Sequence, residues 1–208
     1  MSAEKPTAAA ADEAPYEPPT FTIGPGLEQF SSPMSVYLAT YPLAEGIYLE
    51  AFATGCLVIN PQTSKLLLVQ RAPHDSMPLL WETPGGAVDP EDKSILHGAA
   101  RELYEEAGLT ATGIVQLVGG LETFFTRRGR KIGKVNFLVE VEVCDKEHGD
   151  DGIEVKLDPN EHVKHVWVSE EEARAKKAGD IDLKYTTSAQ ERTIYQAFNI
   201  WKTQANIT

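Results

Sequence analysis

Residues Gly85 to Leu109 read GGAVDPEDKSILHGAARELYEEAGL, and this stretch decides how the rest of the chain is read. Two glycines open it and Gly108 stands near its end. From Ser94 to Ala107 there is no proline, and Gly98 is the single weak helix former. Ile95, Leu96, Ala99, Ala100 and Leu103 recur near the helical period and make one apolar stripe. Asp92 or Ser94 can cap the start, and Gly108 suits the left-handed residue after the last turn. The stretch is therefore expected to be loop, helix, loop.

On that helix Glu102, Glu105 and Glu106 fall at i, i+3 and i+4, which crowds three carboxylates onto one face. Like charges so close repel, and a protein avoids the arrangement or neutralises it with cations. Hard oxygen donors in this number suit Mg²⁺ or Mn²⁺, and Mg²⁺ commonly bridges carboxylates to substrate phosphates. A bare acidic face is more often simply solvated. Here it comes with Gly85-Gly86 in front, Arg101-Glu102-Leu103 within, and Glu105-Glu106-x-Gly108-Leu109 behind.

That combination resembles the Nudix box, in which G, five residues, E and seven residues precede R-E-U-x-E-E-x-G-U, with U aliphatic. Arg101, Glu102, Leu103, Glu105, Glu106, Gly108 and Leu109 match every fixed position of the second half. The first half departs. Counted back from Arg101, the first Glu of the pattern falls on Lys93; counted forward from Gly86, it falls on Asp92. The chain thus has one extra residue before the helix and no Glu there, and Asp92 is the candidate to take over its supporting role.

The resemblance implies an α/β fold, a Nudix-type α/β/α sandwich with a mixed central sheet and a loop-helix-loop metal motif. It implies a Mg²⁺- or Mn²⁺-dependent hydrolase acting on a diphosphate linkage. Glu102, Glu105, Glu106 and a carbonyl of Gly85 or Gly86 would hold the metal. Arg101 would orient the carboxylates. The general base would be Glu106 or Glu161, the latter in the loop before the last strand. Arg71 lies where family members often carry an Arg after the second strand, and it joins the candidate substrate contacts.

The whole chain agrees with a globular domain. Its 208 residues are enough for one well-buried core, and it is 42% hydrophobic and 24% charged. A net charge of −12 argues against a nucleic-acid polymer or an anionic membrane as partner, and leaves a small diphosphate held by local cations or metal. Cys56 and Cys144 show no motif spacing and read as reduced thiols. No leader-like N-terminus and no run long enough for a membrane span is visible, so the expected address is cytoplasmic, with the nucleus also open. A homodimer is left open as well.

Alanines at 8–11 and 14 and prolines at 6, 15, 18 and 19 mark residues 1–20 as a disordered tail. Residues 21–49 read as an extension packed on the domain, with a short helix between Pro33 and Tyr41, and residues 50–208 as the domain itself. Gly46–Asn60 and Lys65–Gln70 are expected to form an antiparallel hairpin across Asn60-Pro61. Strands are expected at Ile114–Phe125 and Lys134–Val143, joined by a basic turn from Thr126 to Gly133, then an acidic loop from Asp145 to Asn160. A last strand at Val163–Val168, a helix Glu170–Ala178 capped by Ser169, and a terminal helix Ser188–Gln204 complete the layers.

Arg127, Arg128, Arg130 and Lys131 concentrate positive charge on that turn, where they can grip phosphates or simply be solvated. Phe124 and Phe125 should point to opposite faces, one into the core; Phe125 is carried as the ring that stacks on substrate. Trp81 reads as packing, and the five histidines show no ligand spacing. The upstream signature of coenzyme A pyrophosphatases, the proline of many ADP-ribose hydrolases and the cysteine motif of isopentenyl diphosphate isomerase are all missing. Two other readings stand beside hydrolysis: a catalytically silent Nudix-fold binding module, and a Nudix-fold enzyme with non-hydrolytic acid/base chemistry.

Overall fold

The computed structural model describes residues 16–41, 48–143 and 152–205. Within these residues nine strands and four α-helices run in the order β1 (Thr22–Ile23), α1 (Met34–Thr40), β2 (Ala51–Val58), β3 (Leu66–Arg71), β4 (Trp81–Glu82), α2 (Ile95–Ala107), β5 (Ala111–Phe125), β6 (Lys131–Val141), β7 (His162–Val168), α3 (Glu170–Ala175), β8 (Lys177–Ala178), β9 (Ile181–Asp182) and α4 (Ser188–Ala205). A four-stranded mixed sheet has the order β1-β5-β6-β2, and a three-stranded antiparallel sheet the order β4-β3-β7. β1 and β2 pair in parallel with β5 and β6, whereas β5 and β6 are antiparallel.

Strand alternation sends side chains to two helical layers. Val58, Leu67, Phe137 and Val139 join a core with Leu96, Ala99, Ala100 and Leu103 of α2. Their neighbours Leu57, Leu66, Leu68 and Leu138 join a second core with Ile194, Ala197 and Phe198 of α4. Sheets sandwiched between α2 and α4 are the expected α/β/α layers, because strands buried on both faces need a helix on each.

The hairpin expected from β2 and β3 does not form as a ladder. The Ile59–Leu66 bridge, the Asn60 N–H to Lys65 carbonyl bond (2.9 Å) and the Ser64 N–H to Asn60 carbonyl bond (2.8 Å) close the turn, and no longer ladder continues from it. β2 instead pairs along its length with β6, from Ala51–Ile132 to Val58–Val139. Two apolar runs around a turn specify strands but not the partner, and β2 satisfies its ladder with a strand far along the chain. Other boundaries shift. β6 begins at Lys131 and ends at Val141, so the basic turn is tighter, closed by Thr126 N–H to Arg130 carbonyl (2.9 Å). α3 stops at Ala175, since Lys176 enters the left-handed region (φ 56°) and leads into β8. Phe124 and Phe125 are both exposed, at 44% and 68%, because they occupy the last two rungs of the β5–β6 ladder at its open end. Cys144 and most of the acidic loop lie outside the described residues, while Cys56 is fully buried and unpaired.

In the N-terminal extension Phe21, Leu27, Phe30 and Tyr37 are all in the α2 core. Contact starts earlier than the composition suggested. Tyr16 stacks on Tyr104 of α2 with ring centroids 3.6 Å apart, and Glu17 pairs with Lys93 at 2.9 Å. One aromatic was enough to dock a stretch that is otherwise polar and proline-rich. Deleting residues 1–20 is therefore expected to cost ~1 kcal/mol rather than nothing, most of it from the ring stack. Chemical denaturation of the truncated chain and of Tyr16→Ala checks this; no loss in either would return the tail boundary to residue 20.

Candidate active site

The free edge of β2 builds the site. Thr54 N–H bonds the Gly86 carbonyl (2.8 Å), Cys56 N–H the Pro84 carbonyl (2.7 Å), and Val88 N–H the Phe52 carbonyl (2.9 Å). The loop before α2 is thereby laid along the sheet. Gly85 is required by its backbone, and Gly86 makes room for a side chain. Gly85 has φ 141°, and a Cβ there would stand 2.4 Å from the Thr54 carbonyl oxygen. A Cβ on Gly86 would stand 2.3 Å from Glu102 Oε2, so the bare backbone is what lets this carboxylate approach.

α2 follows, capped by Ser94, whose Oγ accepts from His97 N–H (3.2 Å), and closed by Gly108 at φ 68°. Asp92 is thus released from capping and binds Arg101 through both oxygens, at 3.0 Å from Nε and 2.9 Å from Nη2. Arg101, 9% exposed, also donates to Glu102 (2.9 Å), Glu105 (2.8 Å) and the Ala87 carbonyl (2.9 Å). The Asp92 hydrogen bonds, against the opposing effect of burial, raise its affinity for its proton. Lys93 points away to Glu17. The extra residue and the shorter acid thus still deliver a carboxylate to Arg101.

Gly98 in the middle of α2 is explained by the same contact. A Cβ there would lie 2.7 Å from Asp92 Oδ2 and 3.2 Å from Val88 Cγ1. Alanine normally strengthens a helix interior by ~1 kcal/mol. Here Gly98→Ala is expected to destabilise by about 1–2 kcal/mol through overpacking. The cost should shrink in an Asp92→Ala background. A gain in stability for the single variant would show that Asp92 is not held where Gly98 admits it.

At the other end of α2 the chain passes over the helix terminus and satisfies its last carbonyls. Lys156 N–H bonds the Ala107 carbonyl (2.9 Å), and Asp158 N–H approaches the Glu106 carbonyl (3.4 Å). This strap brings the exposed Glu161 and the buried His162 to Glu106, and their ligand atoms lie within 4.8 Å of one another. Glu106 is 6% exposed and accepts from Gly85 N–H at 2.7 Å. Burial pushes its carboxyl well above the usual range, and its hydrogen bond with Glu161 and the charges of Glu102 and Glu82 add to this. Burial likewise pushes Glu102 up to about 7, against the opposing pull of Arg101.

The residues singled out in the sequence separate into three groups. Arg101, Glu102, Glu105, Glu106, Gly86 and Glu161 come together around the N-terminal loop and one face of α2. Arg71 is engaged by carboxylates: its guanidinium bonds Glu82 and Asp75, with Nε on the Ser76 carbonyl (2.7 Å). Arg127, Arg128 and Phe125 sit exposed at the hairpin tip. Sequence reasoning missed Glu82, which is 8% exposed and lies between Arg71 and His162. It also missed His162, 2% exposed, whose Nε2 is 3.5 Å from Glu82 Oε1 while neither ring nitrogen has a hydrogen-bond partner. Its adjacency to Glu161 was the one available signal.

The cluster fits a hard divalent cation. Glu102 and Glu106 are carboxylates held out of water and facing a backbone that a Cβ would block, and burial raises both. Oxygen donors dominate, as Mg²⁺ and Mn²⁺ require. Glu105, more exposed and tied to Arg101, stands at the rim.

A sandwich carrying this loop-helix-loop is the architecture of Nudix proteins, and residues 50–189 match the NUDIX domain family model. The chain belongs to the Nudix family. It is 35% identical over 65 residues to an RNA pyrophosphohydrolase of Rhizobium meliloti (strain 1021), covering 29% of this chain and 38% of that protein, so it spans well under half of that relative's length. It is 37% identical over 115 residues to a CTP pyrophosphohydrolase of Escherichia coli (strain K12), covering 55% of this chain and 74% of the relative. Among solved structures, a MutT protein from Methanosarcina mazei Go1 superposes with TM-score 0.52 at 26% identity, covering 73% of this chain and 94% of that one.

Proposed function

We propose that this chain is a Mg²⁺- or Mn²⁺-dependent pyrophosphohydrolase that cleaves the phosphoric anhydride of a nucleoside diphosphate derivative or related organic diphosphate. The observation that carries this reading is the buried carboxylate cluster of Glu102 and Glu106 against Gly86, with a Glu161 oxygen within 4.8 Å of Glu106. Glu102, Glu106 and the Gly86 backbone would hold the ion, with Glu105 at their edge. When bound, such an ion offsets phosphate charge and lowers the pKa of bound water.

The chain's own groups supply the rest. Arg101 fixes Glu102 and Glu105 in one orientation. Gly85 N–H fixes the Glu106 oxygen it bonds. Glu161, at the exposed end of its pair with Glu106, takes the proton of the attacking water. Arg71 holds Glu82 in place instead of touching phosphate, and the arginines of the hairpin tip remain candidate contacts for the far end of a substrate. The names of the relatives, which specify CTP and RNA, support an anhydride next to a nucleotide. No described helix is long and apolar enough to cross a membrane. A small-molecule substrate, supported by the net charge of −12, and a cytoplasmic setting are part of the same proposal.

The test is a panel of nucleoside triphosphates, nucleotide sugars, dinucleotides and 5′-triphosphorylated RNA, each with Mg²⁺ and Mn²⁺, read as released phosphate, pyrophosphate or nucleotide. Absence of turnover, together with no Mg²⁺ or Mn²⁺ binding at low millimolar concentration beside a diphosphate analogue, overturns the reading in favour of a binding module. Within it, Asp92→Ala should weaken metal binding, by under about tenfold because it acts through Arg101. Lys93→Ala should change it less, as its ammonium pairs with Glu17 at 2.9 Å. A larger effect from Lys93→Ala than from Asp92→Ala would reverse the roles given to the two residues; isothermal titration distinguishes them.

A further inference from the structure

Glu106, Glu161 and His162 each bring one ligand atom within 4.8 Å of the others. They come from three parts of the chain: the last turn of α2, the strap, and the first residue of β7. A local turn sets the last two side by side. The Asp158 carbonyl accepts from Glu161 N–H (3.1 Å) and from His162 N–H (2.9 Å), and Ala72 N–H holds the Glu161 carbonyl (2.8 Å) just beyond β3. Successive residues within a strand point to opposite faces. Glu161 stands in the turn before β7, which frees both side chains to reach Glu106.

The fold neutralises none of the three. Glu102 and Glu105 share Arg101, and Glu82 has Arg71. Glu106 and Glu161 have no ion pair among the described residues, in a chain of net charge −12. His162 is 2% exposed, and neither ring nitrogen has a hydrogen-bond partner. The carboxylate oxygen 3.5 Å from its Nε2 belongs to Glu82 and already takes the Arg71 guanidinium. A buried imidazole without partners is costly to keep, and native structures pair such groups. One divalent ion completes the imidazole and both carboxylates together.

The donor set selects the ion. Mg²⁺ demands oxygen donors and sheds its waters reluctantly, which suits Glu102 and the Gly86 backbone. One imidazole nitrogen with two carboxylate oxygens suits Zn²⁺, which takes three protein ligands and leaves a fourth position open. Zn²⁺ bonds of about 2.0–2.2 Å hold ligand atoms about 3.5 Å apart, so a closure of at most ~1.3 Å suffices. Glu161 is exposed and has the freedom to make it.

We propose that Glu106, Glu161 and His162 form an inhibitory site for a zinc-type transition-metal ion, sharing only Glu106 with the oxygen cluster. An ion there holds the carboxylate of Glu161 that would take the proton of water, and draws Glu106 away from Mg²⁺. The inhibition rests on the hydrolase reading above; the binding of the ion does not.

The metal-free full-length chain would be titrated calorimetrically with Zn²⁺ alone and with Mg²⁺ alone. Zn²⁺ should bind at least about tenfold more tightly. His162→Gln should lower Zn²⁺ affinity about tenfold or more and leave Mg²⁺ affinity within about twofold. Glu161→Gln changes an exposed side chain, should lower Zn²⁺ affinity likewise, and carries the test should His162→Gln fail to fold. Zn²⁺ affinity unchanged in either folded variant overturns the site, and equal losses of Zn²⁺ and Mg²⁺ make His162 a packing residue and overturn it too. Turnover at saturating Mg²⁺ should fall as Zn²⁺ is added, and His162→Gln should need about tenfold more Zn²⁺ for the same fractional fall. Equal potency in both proteins, or higher turnover with Zn²⁺, overturns the inhibitory role. Absence of turnover with Mg²⁺ before any Zn²⁺ is added would bring down the hydrolase reading and the inhibition with it, while the two titrations still decide the site.

Discussion

Glu106→Gln is expected to reduce turnover by about a thousandfold or more, equivalent to ~4 kcal/mol of barrier, while the melting temperature of the metal-free protein stays level or rises. Both halves follow from one geometry. Glu106 is 6% exposed, yet its carboxylate takes the Gly85 N–H at 2.7 Å and meets Glu161. Glutamine has the same length, and its Oε1 can keep the Gly85 bond. What it removes is a charge that burial opposes and that Glu102 and Glu82 oppose further. A group that costs stability and is nevertheless placed this deliberately serves chemistry. The check is kcat with saturating Mg²⁺ and a melting curve in chelator. Near wild-type turnover would remove Glu106 from the metal site, and a fall in melting temperature of several degrees would show the carboxylate to be structural.

The helix at the centre of this site was legible because its determinants are local: a stripe at helical period, Ser94 before it and Gly108 after it. Asp92 was legible as the partner of the missing position by counting from Gly86, although only the fold shows that Gly98 makes room for it. The sheet was less legible. Apolar runs announce β2 and β3, but nothing in them says that β2 joins β6 in parallel across most of the domain. The charged residues divided the same way. Arg71 stood out by its place after the second strand, and only the fold shows that it pairs with Glu82 and Asp75. The arginines at the hairpin tip drew attention because they lie close together in sequence, whereas Glu82 and His162 meet only through the pairing of β4 and β7 with β3. Contacts within a few residues leave a mark in the sequence; contacts made by register between distant strands do not.

Arg101→Ala should give the largest loss of stability of any single change in the site, about 3–5 kcal/mol, because it breaks a buried ion cluster and leaves its acids without a partner. Arg101 makes five hydrogen bonds of 2.8–3.0 Å, to Asp92, Glu102, Glu105 and the Ala87 carbonyl. Asp92 and Glu102 have side chains only 8% and 14% exposed, so water does little to replace the lost cation. A domain of this size is stable by about 5–15 kcal/mol in all, which places the variant near the edge of folding. Arg101→Lys should recover little, since a lysine's three donors radiate from one atom and cannot span Asp92 and the helix carboxylates together. The second variant, Asp92→Ala with Arg101→Ala, should cost less than the sum of the two, as each single change strands the other residue. Millimolar Mg²⁺ should stabilise Arg101→Ala more than the unaltered protein, because the freed acids gain a cation in its place. Denaturant titration of the unaltered chain, Arg101→Ala, Arg101→Lys, Asp92→Ala and the double variant, with and without Mg²⁺, decides the matter. A loss below about 1 kcal/mol for Arg101→Ala would class the cluster with exposed ion pairs and remove Arg101 from its positioning role.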